Sequence, residues 1–217
     1  MRKLYAMRSH RLLLVIGLIF GIGIGNLLAQ TTEVGPYCGR HIVSEAGQGQ
    51  VWFAAAEAKC DDNDSKAYSV PLHQGQFTQT LRIKDFGFEI PNNAVIEGLE
   101  VVVIRRSDLN GGMMDKKAQL IQNNREVGKN LRTQEAWNNE WAAVYYGGAS
   151  ETWGLTLTPE DINNANFGFA FQAENTGKTT RPEIDEVLVT VHYSLPGKVW
   201  LMVKSKHKTK ESHCTTL

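Results

Sequence analysis

Residues 186–193 read EVLVTVHY. Val187, Val189, Val191 and Tyr193 fall on one side, and Leu188, Thr190 and His192 on the other, because successive side chains of an extended chain point to opposite faces. A period of two at this density of β-branched residues predicts a strand with one face in a core and the other part covered. Upstream, FGFAFQ at 167–172 sets Phe167, Phe169 and Phe171 against Gly168, Ala170 and Gln172. That alternation predicts a buried aromatic face backed by a small-residue face that admits close approach. LEVVVI at 99–104 is a nearly continuous apolar run and predicts a central strand covered on both sides. Further strands are expected over 78–83, 86–90, 118–122, 142–146 and 152–157, giving about eight or nine in all. The fold class is all-β, a two-sheet antiparallel β-sandwich.

The punctuation between these runs has a mechanism. Pro91 cannot donate to a ladder, so the strand before it must stop. Asn110-Gly111-Gly112 and Gly147-Gly148 supply positive φ at reversals. One helical signal interrupts the pattern, TPEDIN at 158–163. Thr158 can cap, Pro159 suits the first helical position, and Asp161 is placed to answer the exposed N–H groups. A one-turn helix that turns a corner between two strands is expected, in preference to a catalytic role for Glu160 or Asp161.

The N-terminus orders Arg2, Lys3, Arg8 and Arg11 ahead of an uncharged apolar run over 12–28 that closes on Ala29. This is the layout of a secretory signal peptide, with an uncleaved anchor as the rival reading. The expected organisation is a signal peptide at 1–29, a β-sandwich domain at 30–196 and a basic, unstructured tail at 197–217. The expected location is secreted or cell-surface, with no membrane span after cleavage. Residues 30–196 carry 14 Lys and Arg against 22 Asp and Glu, while the tail carries five Lys and one Glu. An acidic domain argues against a nucleic-acid partner, since phosphate neutralisation needs clustered cations. Of three cysteines, Cys38 and Cys60 are expected to pair, leaving Cys214. No Cys-x-x-Cys or Cys/His spacing suits a metal.

Three constellations bear on chemistry. Asp61, Asn63 and Ser65 alternate as the first ligands of a calcium loop do, with Asp64 beside them and Asp185 or Glu183 available from a distant strand. Lys66, Ala67 and Leu72 depart from the EF-hand pattern, so a solvated acidic turn is the competing and favoured reading. No motif requires a cofactor, and calcium is the one candidate ion. Asn63-Asp64-Ser65 also fits a glycosylation sequon, and equally a turn. Trp137, Trp141 and Tyr145 lie in or just after a polar connection before a strand, where planar rings would be open to stack on a sugar, whereas Trp153 beside Gly154 suits a core. Carboxylates at Glu160/Asp161 and Glu183/Asp185/Glu186 could serve a glycosidase if two of them faced each other across a cleft. Among recognisable hydrolase and nucleotide signatures, no Gly-x-Ser-x-Gly, His-Glu-x-x-His or P-loop is present.

FGFEIPNNAVIEGLEVVVIRR at 86–106, YYGGASETWGLTLTPEDINNANFGFAF at 145–171 and IDEVLVTVHY at 184–193 together resemble a β-sandwich module of bacterial secreted or surface proteins and of phage virion and tail-associated proteins. The shared order is a Phe-Gly-Phe strand into Ile-Pro, an Ile-x-Gly strand, Gly-Gly and Trp-Gly, a Thr-Pro-x-Asp-Ile-Asn turn, a Phe-Gly strand and a closing Val-x-Val-x-Tyr strand. The resemblance covers roughly residues 52–193. It implies a jelly-roll-like fold and a non-enzymatic role in attachment, display or assembly, and it supplies no catalytic residues. The expectation drawn from the residues as a whole is a module for binding, attachment or surface assembly, with a glycan or a surface protein as partner. A glycan-active hydrolase on the same scaffold is the alternative.

Overall fold

A computed structural model describes residues 31–60 and 65–196. The expected signal peptide at 1–29, the expected tail at 197–217 and the calcium candidates Asp61, Asn63 and Asp64 lie outside the described residues. The described residues form ten strands: β1 (Thr31–Cys38), β2 (His41–Glu45), β3 (Ala67–Tyr68), β4 (Thr80–Lys84), β5 (Val95–Ser107), β6 (Met113–Gln122), β7 (Arg125–Val127), β8 (Ala142–Gly147), β9 (Gly168–Asn175) and β10 (Pro182–Ser194). They form two five-stranded antiparallel sheets. The first runs β1-β10-β5-β8, with β3 also paired to β10; the second runs β2-β4-β9-β6-β7. Apart from the β6–β7 hairpin, each strand lies in the opposite sheet to the one before it, the jelly-roll-like crossing pattern expected of this sandwich.

Period-two patterning explains which faces meet. Val187, Val189 and Val191 of β10 and Leu99, Val101 and Val103 of β5 point inward, onto Leu81 and Ile83 of β4 and Phe169 and Phe171 of β9. Trp153 and Tyr146 meet the two Phe rings at centroid distances of 6.0–6.2 Å in tilted or edge-on geometry, the arrangement the ring quadrupole favours. The small-residue face of β9 does admit close approach: a Cβ at Gly168 would collide with the carbonyl of Ile83 on β4.

The short helix α1 (Pro159–Asn163) forms as expected. Thr158 caps it, Asp161 completes a reciprocal capping box, and Pro159 opens it. Asn163 then uses its amide on both backbone groups of Ile90, donating to the carbonyl at 2.9 Å and accepting from the N–H at 2.8 Å, which fastens the corner to the chain after β4.

Three strand expectations need correction. Residues 86–90 bury Phe86, Phe88 and Ile90 but form no strand, because Asp85 and Gly87 take left-handed φ of 59° and 69° and break the ladder. Residues 152–157 likewise turn, with Trp153 and Gly154 at φ of 59° and 71°. The 99–104 run is not covered on both sides. Val101 and Val103 are buried, whereas Val102 and Ile104 reach the outer face and remain part exposed. Cys38 and Cys60 are joined by a disulfide, as expected, with Cα atoms 5.9 Å apart. Among the described residues no helix is long and apolar enough to cross a membrane.

Candidate ligand-binding face

The two tryptophans of the 137–141 connection part company. Trp137 is only 2% exposed. Its ring stacks on Phe171 at 5.9 Å, the Arg105 guanidinium lies 4.5 Å above its centroid, and its Nε1–H donates to Asp115 Oδ1 at 2.8 Å. The expectation of a ligand-accessible ring at Trp137 is therefore corrected: a buried carboxylate draws the indole inward.

That carboxylate organises a polar knot between the sheets. Asp115 of β6 meets Arg105 of β5 at 3.3 Å, and its Oδ2 accepts from Tyr146 Oη and Thr133 Oγ1, each at 2.8 Å, and from the Thr133 N–H at 3.1 Å. Burial first, and then the negative charge of Asp115, push the Tyr146 phenol far above its ordinary 10.0, with Arg105 opposing. A buried ion pair with its lone pairs answered joins the sheets and offers a ligand nothing. Nothing in the sequence marks this knot beyond an Arg and an Asp standing where the alternation wants apolar residues.

Trp141 and Tyr145 face the other way. Both project from the outer side of the first sheet, Tyr145 from edge strand β8 with 62% of its surface exposed, and Trp141 just before it with its ring 4.6 Å from the Arg106 guanidinium. Cross-strand register aligns Tyr145 with Val102 of β5, Leu188 of β10 and Cys38 of β1, and sets Ala143, Ile104 and Glu186 in the next row. Two rings and a strip of part-exposed Val, Ile and Leu thus share one sheet face. The disulfide anchors the chain around Cys60 to the far edge of that row.

The remaining sequence candidates are largely committed elsewhere. Asp161 is held below its ordinary 3.8: burial pushes it up, but the Thr158 hydroxyl and N–H and Gln122 outweigh that. Glu183 is 1% exposed and bonded to Arg106 Nε at 2.8 Å and Arg181 Nη2 at 3.0 Å, so it is not available to a cation. Asp185 sits at a register shift of β10 between Ile184 and Glu186, and both Asp185 and Glu186 are engaged in polar contacts. Among the described residues no three His, Cys, Asp or Glu side chains converge as a metal site. Among the described residues, one surface depression is lined by Tyr37, Arg40, Phe86 and Glu89 and another by Glu45, Phe77, Lys116 and Gln172, and each presents a single carboxylate where glycoside hydrolysis needs two.

No protein-family model matches the chain. None of the curated proteins matches it either. Among solved structures, the chain is similar to the second N-terminal cellulose-binding domain of β-1,4-glucanase C from Cellulomonas fimi, at 15% identity over 78% of this chain and 99% of that one, with a TM-score of 0.37. It is also similar to the CBM22-1 xylan-binding domain of Xyn10C from Paenibacillus barcinonensis, at 9% identity over 75% and 95%, TM-score 0.37. A Stig cyclase from Fischerella sp. gives 10% identity over 79% of each chain, TM-score 0.34. Likenesses this distant assign neither ligand nor activity to this chain.

Proposed function

We propose that this chain is an exported, non-catalytic β-sandwich module that binds carbohydrate on the outer face of its first sheet. The observation that carries the reading is the placement of Trp141 and Tyr145 on one sheet face, beside the part-exposed Val102, Ile104 and Leu188. Planar rings over an apolar strip stack on the C–H faces of sugars, and a regular sheet holds them without a reorganisation cost on binding. The absence of a catalytic role is supported by the commitment of Asp161 to the helix cap and of Glu183 to two arginines.

A broad glycan array probed with the purified protein tests this. Binding that disappears in Trp141→Ala and Tyr145→Ala, with melting temperatures unchanged, is the expected result. Silence from a folded sample would move the role to attachment or assembly through protein contacts, and glycan hydrolysis lost on changing one carboxylate would make the chain an enzyme.

A further inference from the structure

Trp141 is one end of a longer row. Arg106 stands two residues beyond Ile104 on β5 and so shares its outer face, where it lies against the Trp141 ring. Arg106 pairs with Glu183 of β10, and Glu183 pairs with Tyr68 of β3. Beyond β3, Phe53 exchanges both backbone hydrogen bonds with Tyr68, and the two rings stack at 5.7 Å. Phe53 and Tyr68 are 43% and 37% exposed, and Val51 and Val70, two residues along each chain, are each 38% exposed. Trp52 and Ser69 are buried, so alternation turns all four apolar side chains outward as one pad.

Between the pad and Trp141 the charges cancel. Buried Glu183 bonds Arg106 Nε at 2.8 Å and Arg181 Nη2 at 3.0 Å, and Asp108 stands 3.9 Å from Arg181 Nε. Two guanidiniums thus meet two carboxylates, and no net charge is left to select an ion. The side chains of Arg106 and Arg181 remain part exposed. A guanidinium has five N–H donors, more than one carboxylate takes, and a hydroxyl both donates and accepts. Sugar hydroxyls can therefore bond to these pairs without upsetting their balance, whereas a charged ligand would give up hydration with nothing to offset the loss.

We propose that Phe53, Tyr68, Val51 and Val70 form a second apolar subsite, and that the ligand is an uncharged oligosaccharide lying across the strands. One end stacks on Trp141, the other on Tyr68 and Phe53, and hydroxyls between them lie over the Arg106–Glu183 pair. This rests on the carbohydrate reading above and adds the ligand's charge, direction and length. Tyr68 and Trp141 stand three strand spacings apart, roughly 14 Å, so a ligand touching both ends spans about four sugars or more.

The test is calorimetric titration of the intact protein with cello-, xylo-, manno- and malto-oligosaccharides, each as dimer and hexamer, beside hexagalacturonate. Expected is a neutral hexamer that binds about tenfold or more tighter than its own dimer and than hexagalacturonate. Its affinity should stay level as salt rises, because no net charge meets the ligand. Tyr68→Ala and Phe53→Ala should each weaken that hexamer about tenfold, toward the affinity of its dimer, with the melting temperature unchanged. A hexamer no tighter than its dimer, hexagalacturonate as the tightest ligand, or hexamer binding indifferent to both variants overturns the proposal and leaves the carbohydrate reading standing. No binding of any series to the folded protein removes both.

Discussion

Trp137 and Trp141 lie four residues apart in one polar connection and end on opposite sides of a sheet. Spacing along the chain identified the pair, but only the position of Asp115 decides which ring turns in. Replacing Trp137 by Ala should destabilise the fold by about 3–5 kcal/mol, since it opens a cavity and removes a donor from a buried carboxylate. Trp141→Ala should move the chemical-denaturation midpoint hardly at all, and a loss for Trp141 comparable to that for Trp137 would show the outer ring to be structural. Tyr146 makes a pH prediction. Its folded phenol ionises far above its ordinary 10.0, so the unfolded chain loses that proton first. Stability should be fully present below pH 10 and fall as pH rises beyond it, and Tyr146→Phe should abolish that part of the decline.

At the scale of elements, residues 158–163 were legible because capping chemistry is local: Thr158, Pro159 and Asp161 act within one turn. Asp161→Asn should cost a few tenths of a kcal/mol, about 0.5, at neutral pH, the screened worth of a surface carboxylate in a first helical turn. Because the folded carboxyl titrates below its ordinary 3.8, that contribution is present above this value and lost as pH falls through the lower folded value. Urea melts of the two proteins should therefore converge in acid, and a constant gap would assign the loss to something other than the charged cap. The strands expected over 86–90 and 152–157 failed for a reason alternation cannot show: Asp85 and Trp153 take left-handed φ, a conformation Asp tolerates but a bulky Trp rarely adopts. The outer face of β5 was misjudged because a continuous apolar run fits full burial and a half-exposed binding face equally well. The excess of Val102 and Ile104 over core need is what the proposed site uses.

For the whole molecule, period-two patterning and turn chemistry were enough to expect a two-sheet sandwich, and the short loop between Cys38 and Cys60, in a chain expected to be exported, was enough to favour that pair over either with Cys214. The transverse row from Phe53 to Trp141 was not legible, because its members come from five separate segments that only sheet order brings together. Closing a loop of 22 residues, the disulfide should contribute about 3 kcal/mol on the chain-entropy estimate. Reduction should lower the melting temperature by several degrees without altering the sheet signal in circular dichroism, and no shift on reduction would contradict it. The most direct measurement of the central claim is a map of backbone and indole NMR shifts as a glycan ligand from the array is titrated in. Changes are expected only on the outer face of the first sheet, at the Trp141 indole, Tyr145, Val102 and Leu188, with the Trp137 indole still. Shifts centred on the second sheet, or on the Trp137 indole, would contradict it.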